Sequence, residues 1–108
     1  MGSAVVSGKP GGEKSPITYS GNQTMDNGAF AQVSVTGDNL IVAVWAYDSG
    51  KRVNATEVYR ITDGMVSGIV SYINGSTFFP ITFSNNVVSI QQKFSGSSYT
   101  VFYCITEF

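Results

Sequence analysis

Eight consecutive residues, Leu40-Ile41-Val42-Ala43-Val44-Trp45-Ala46-Tyr47, carry no charge, no glycine and no proline. Gly37-Asp38-Asn39 precedes them and Asp48-Ser49-Gly50 follows. A short apolar run, rich in β-branched side chains and bounded by turn formers, reads as a buried strand and not as a helix. Strand side chains alternate between faces. Leu40, Val42, Val44 and Ala46 therefore share one face, and Ile41, Ala43, Trp45 and Tyr47 share the other. Both are apolar, so the pattern calls for cover on both sides and argues against a sheet with one wet face.

The rest of the chain has the same punctuation. Ile17-Thr18-Tyr19 reads as a short first strand, ended by Ser20-Gly21-Asn22. After the Asp26-Asn27-Gly28 turn, Ala29 to Thr36 alternates, with Ala29, Ala31, Val33 and Val35 inward and Phe30 an exception. Thr36-Gly37-Asp38-Asn39 reads as a tight hairpin that pairs this strand antiparallel with Leu40 to Asp48. A strand centred on Glu57 to Ile61 turns at Asp63-Gly64 into Met65 to Ile73, where Gly68 signals a bulge or a close backbone approach. Asn74-Gly75 is a strong hairpin signal leading to Thr77 to Phe83, and Pro80 marks that strand as an edge or as bulged. Asn85-Asn86 reverses the chain into Val87 to Phe94, and the last strand is Tyr99 to Phe108. The expected fold is all-β: an antiparallel sandwich, or a jelly-roll or meander-like small barrel, of seven or eight strands with no significant helix. The prevalence of hairpin-length connections favours a meander, with Tyr19 to Ala29 and Asp48 to Glu57 the only segments long enough to be crossovers.

Residues 1–16 combine four glycines and two prolines with Lys9, Glu13 and Lys14. They cannot bury enough apolar surface to offset ordering entropy, so they read as a flexible arm before one β-domain over 17–108. Charged residues make up only 12% of the chain and the net charge is -1. That balance argues against nucleic acid, which requires clustered Lys and Arg. No apolar run is long enough for membrane insertion. Surfaces rich in Ser, Thr, Asn and Gly suit an extracellular or virion setting.

The chemistry is sparse. There is no histidine, which removes imidazole bases and imidazole metal ligands. All four Asp residues sit at turns, where turn chemistry accounts for them. No pair of acids is close within a strand, and Cys104 reads as a small buried hydrophobe. The expectation is a non-enzymatic chain with no catalytic residues, no metal and no cofactor.

Three strands, those at Leu40, Met65 and Tyr99, are apolar on both faces. A two-sheet sandwich buries only one face of each strand. The second faces are therefore expected to meet other copies of the chain, in a homo-oligomer closed by cyclic symmetry, with Trp45, Tyr47, Tyr99, Val101 and Tyr103 at the contact. Trp45, deep in the central strand, also reads as a core residue. Tyr47, Tyr59 and Tyr72 fall near loops, where an amphipathic ring could stack on a sugar or a partner.

A Gly/Ser-rich lead-in, then Gly28-Ala29-Phe30 opening a series of short strands, then closure on Tyr99-Thr100-Val101-Phe102-Tyr103-Cys104-Ile105, together resemble the C-terminal receptor-binding tip of a bacteriophage tail fibre or similar virion fibre protein. The likeness spans Ile17 to Phe108 and is one of pattern, without a diagnostic motif. It implies a trimer on a virion that binds a host cell-surface glycan or protein. A structural fibre or decoration module without a ligand, and a monomeric carbohydrate-binding module, are the competing expectations.

Overall fold

The computed structural model describes residues 15–47, 53–71, 78–93 and 98–108. Eight strands make up two antiparallel sheets: β1 (Ile17–Met25), β2 (Phe30–Ser34), β3 (Leu40–Tyr47), β4 (Val53–Thr62), β5 (Met65–Ser71), β6 (Ile81–Ser84), β7 (Val87–Gln91) and β8 (Tyr99–Glu107). One sheet has the order β1-β8-β3-β4-β5 and the other β2-β7-β6. The fold is a small all-β sandwich, and no residue among those described is helical.

The core lies between the sheets. The large sheet contributes Met25, Leu40, Val42, Val44, Ala46, Ala55, Tyr59, Ile61, Val101 and Ile105, and the small sheet Ala31, Ile81, Val88 and Ile90. Each set follows the two-residue period of a strand with one face turned inward. Val35 and Phe79, just outside the strands, close the two ends of the small sheet. The outward face of the small sheet is polar: Gln32, Ser34, Thr82, Ser84 and Ser89 lie there, and Gln32 Nε2 donates to Ser89 Oγ at 3.3 Å. Phe30, 53% exposed, and Val87, partly exposed opposite Ser34 and Ser84, are the apolar exceptions on that face.

Several local expectations give way to the topology. The Thr36–Asn39 turn is not a hairpin. β2 pairs with β7, while β3 pairs with β8 and β4, so this turn carries the chain from one sheet to the other. The connections β1–β2, β5–β6 and β7–β8 also change sheets, so the path is not a meander. The hairpin signal at Asn74-Gly75 lies outside the described residues, and the strands on either side of it, β5 and β6, belong to different sheets. β1 does not stop at Tyr19; it continues through Gly21 and pairs along its whole length with β8. Gly21 belongs there for want of space, since a Cβ would lie 2.6 Å from Tyr103 Oη.

Two turns behave as their sequences suggest. Asp63-Gly64 (φ 49° and 80°) and Asn85-Asn86 (φ 51° and 60°) have two successive left-handed residues, the type I′ signature that matches strand twist. Gly68, at φ 69°, is the unpaired residue where the β4–β5 register shifts, a bulge on an edge strand, as its position predicts. β6, directly after Pro80, is likewise an edge strand.

Candidate functional site

The two outward faces differ in character, and the difference singles out the large sheet. Cross-strand register defines its outer rows. Cys104 faces Ala43, and Ala43 faces Val58; Phe102 faces Trp45, and Trp45 faces Thr56; Thr106 faces Ile41, and Ile41 faces Arg60. Ile41, Ala43, Trp45, Val58, Phe102 and Cys104 form a contiguous apolar band across β8, β3 and β4, each partly open to solvent. Trp45 and Phe102 stack with centroids 5.9 Å apart and planes inclined by 8°, an offset arrangement suited to aromatic rings. From the strand spacing and residue rise, the band covers roughly 300 Å², the scale at which an exposed patch on a small protein commonly has a binding role.

Polar residues border it along β1 and at its ends, while on the β5 side Val58 pairs with Val70 and Thr62 with Met65, which is 72% exposed. Thr18, Ser20, Asn22 and Thr24 of β1 face outward opposite Thr106, Cys104, Phe102 and Thr100, and Thr24 and Thr100 hydroxyls meet at 3.3 Å. On the other side lie Thr56, Thr62 and Arg60, whose Nε donates to Thr62 Oγ1 at 3.1 Å. Arg60 is the only charged side chain on this face among the described residues. A partly exposed apolar centre with hydroxyls and amides beside it has the division into core and rim that protein–protein contacts share.

The residues expected at a contact divide between the two faces. Trp45 lies on the outer band and not in the core, because its strand gives the sandwich interior to Val44 and Ala46. Tyr47 occupies an outer register position at the end of β3, and its side chain is outside the described set. Val101 is a correction: it is wholly buried on the inner face of β8. Tyr99 and Tyr103 share that inner face and pack against the core cluster, so neither belongs to the outer band. The outer residues of β8 are instead Phe102 and Cys104. Cys104 is half-buried on this face and is not a core residue.

The ligand-stacking expectation fails for Tyr59. Its ring is buried among the core residues, and its hydroxyl donates to Glu57 Oε1 at 3.1 Å. Burial, and then the neighbouring Glu57 carboxylate, hold the Tyr59 phenol well above its ordinary pKa. Tyr72 lies outside the described residues.

Sequence reading missed the two buried carboxylates. Glu57 and Glu107 are both 0% exposed. Glu57 accepts from the backbone N–H groups of Phe78 (2.6 Å) and Phe79 (3.0 Å) as well as from Tyr59. Glu107 accepts from Thr36 N (3.0 Å), Thr36 Oγ1 (2.6 Å) and Tyr19 Oη (2.9 Å). Each anchors a segment that leads from one sheet to the other, and the donors compensate the desolvation of the buried charge. The signal was available: Glu57 falls between Ala55 and Tyr59 at an inward position, where only a satisfied acid is tolerated. No group of three or more potential metal ligands occurs among the described residues.

Comparison of the chain with protein-family models, with curated proteins and with solved structures finds no match. The outer band therefore stands on its own geometry.

Proposed function

We propose that this chain is a non-enzymatic domain that assembles with copies of itself through the outer face of the large sheet, as a trimer at the tip of a virion fibre, and attaches there to a host cell surface. The apolar band carries the reading. The small sheet's outer face is mostly polar, with Phe30 and Val87 as exceptions, whereas the large sheet's outer face carries six adjoining apolar residues across three strands. The strand on which the fibre-tip resemblance closes, Tyr99 to Ile105, lies within β8, and its outward residues Phe102 and Cys104 form one side of the band.

The band's footprint of about 300 Å² is the size of the apolar patches that are often functional on small proteins. Standard interfaces bury about 800 Å² per partner with a similar division into core and rim, and the threonine-rich margins supply the remainder.

The test is molar mass by light scattering for the wild type and for Val58→Lys, which places a charge in the band without touching the inner core. The expected result is a trimer for the wild type and a folded monomer for the variant. A monomeric wild type at high concentration refutes assembly through this face. Retention on a panel of bacterial strains tests attachment separately, and a trimer that binds none of them is a structural fibre module.

A further inference from the structure

We propose that the pole of the sandwich formed by the β2–β3, β4–β5 and β6–β7 turns is a binding site for a neutral saccharide of one or two rings. The proposal rests on the attachment reading above and gives it a ligand class and a location separate from the assembly face. Thr36, Gly37 and Asp38 from the first turn, Gly64 from the second, and Phe83, Ser84, Asn85 and Asn86 from the third line an open depression of about 500 Å³. That volume lies within the range of small-ligand sites.

The depression is held in shape by its own backbone. Val35 N donates to Asn86 O at 2.9 Å, Asn86 Nδ2 to Gly37 O at 3.1 Å, Gly64 N to Asp38 O at 2.9 Å and Asp63 N to Asn39 Oδ1 at 3.1 Å. The three turns are thereby bound to one another, and two of them are rigid type I′ reversals. A pre-formed site has less ordering entropy to lose on binding.

The chemistry of the lining is that of sugar recognition. Sugars present adjacent hydroxyls, each a donor and an acceptor, and a C–H face. Asp38 offers a carboxylate at the surface, with Oδ1 taking one hydrogen bond from Asn39 Nδ2 at 3.1 Å. The Ser84 hydroxyl and the Asn85 amide, both exposed, form no side-chain hydrogen bond among the described residues. Asn86 is already committed to the fold. Asn85, one residue earlier, occupies a left-handed turn position that Asn tolerates, and its exposed amide is open to a ligand. The half-buried Phe83 ring, 3.8 Å from where a Gly64 Cβ would lie, supplies an apolar wall. Asp38 is the only charge in the lining, so an anionic sugar would be repelled and a neutral one is selected.

The experiment titrates glucose, galactose, mannose, N-acetylglucosamine and their common disaccharides into the full chain and follows backbone amide chemical shifts. Saturable shifts at Gly37, Gly64 and Asn85 are expected, with affinity falling at least tenfold in Asn85→Gly, which keeps the turn, and in Asp38→Ala. Val58→Lys on the outer band should leave the titration unchanged. Absence of any response at the pole, or a response that survives both substitutions, overturns the site. Retention on bacterial strains is measured in parallel. Cell binding unaffected by Asn85→Gly overturns the pole as the place of attachment and leaves attachment standing, whereas saccharide binding without cell retention supports the site and removes attachment.

Discussion

Single residues fix where the sheets join. Glu57 and Glu107 are charged groups in an otherwise apolar interior, tolerated because each accepts three hydrogen bonds. Tyr59 is bound to the first of these, and its environment has a measurable consequence. Burial favours the neutral phenol, the adjacent Glu57 carboxylate opposes a second negative charge, and the hydrogen bond to it requires the proton. The pKa is raised in the folded state relative to about 10 in the unfolded chain. Its contribution to stability is therefore complete below pH 10 and declines as pH rises above that value, because the unfolded chain releases the proton first. Urea midpoints measured from pH 8 to 11 should fall more steeply above pH 10 for the wild type than for Tyr59→Phe. Equal slopes would mean that neither burial nor the Glu57 carboxylate holds the folded-state phenol above its unfolded value. Tyr59 also shows how a single letter misleads: tyrosine near a loop suggests a ligand platform, and only the burial of its strand face shows that the ring belongs to the core.

At the level of elements, strand existence and facing were legible in the sequence and strand partnership was not. Two-residue alternation placed Ala31, Val88 and Ile90 inward, as the structure does, and put Leu40, Val42, Val44 and Ala46 on one face without saying which face of that strand meets the other sheet. The hairpins at Asp63-Gly64 and Asn85-Asn86 were legible because positive φ is a local demand with a local signature. The turn at Thr36–Asn39 has the same kind of sequence and does something different. Its fate is decided by Glu107, seventy residues away, whose carboxylate takes the Thr36 N–H and hydroxyl and holds β2 away from β3. Gly37 is there for room and not for φ: a Cβ would lie 3.0 Å from Glu107 Oε2 and 3.1 Å from Cδ. A carboxylate restrained by three hydrogen bonds cannot move aside freely. Gly37→Asn, a change that strengthens the local hairpin signal, is therefore expected to destabilise the protein by about 1–3 kcal/mol through overpacking, seen as a lower urea midpoint with an unchanged slope. A neutral or stabilising effect would mean that the crossover tolerates side-chain bulk at this point.

Over the whole molecule, the two sheets have unequal outer faces, and this asymmetry was only half legible. Two-sided apolar strands pointed to a covered second face. The sequence could not say that β8 lies between β1 and β3, and this order brings Phe102 against Trp45 and Cys104 beside Ala43. It is also why Tyr99, Val101 and Tyr103, the more conspicuous residues of β8, point the other way. If three copies cover one another's bands, folding and assembly are linked, and stability must depend on concentration. Unfolding of a trimer to three chains shifts by two factors of concentration per three chains. Each tenfold dilution should therefore lower apparent stability by about 0.9 kcal/mol per chain, two-thirds of the 1.4 kcal/mol for a factor of ten. Thermal midpoints should fall steadily over a dilution series for the wild type and remain constant for Val58→Lys. Cys104 reports on the same event from within the band. A maleimide should label it slowly in the assembled wild type and rapidly in the variant or at high dilution. Concentration-independent midpoints together with rapid labelling would show that the band faces solvent, and the stacked pair of Trp45 and Phe102 would then have to be explained as a surface for another kind of partner.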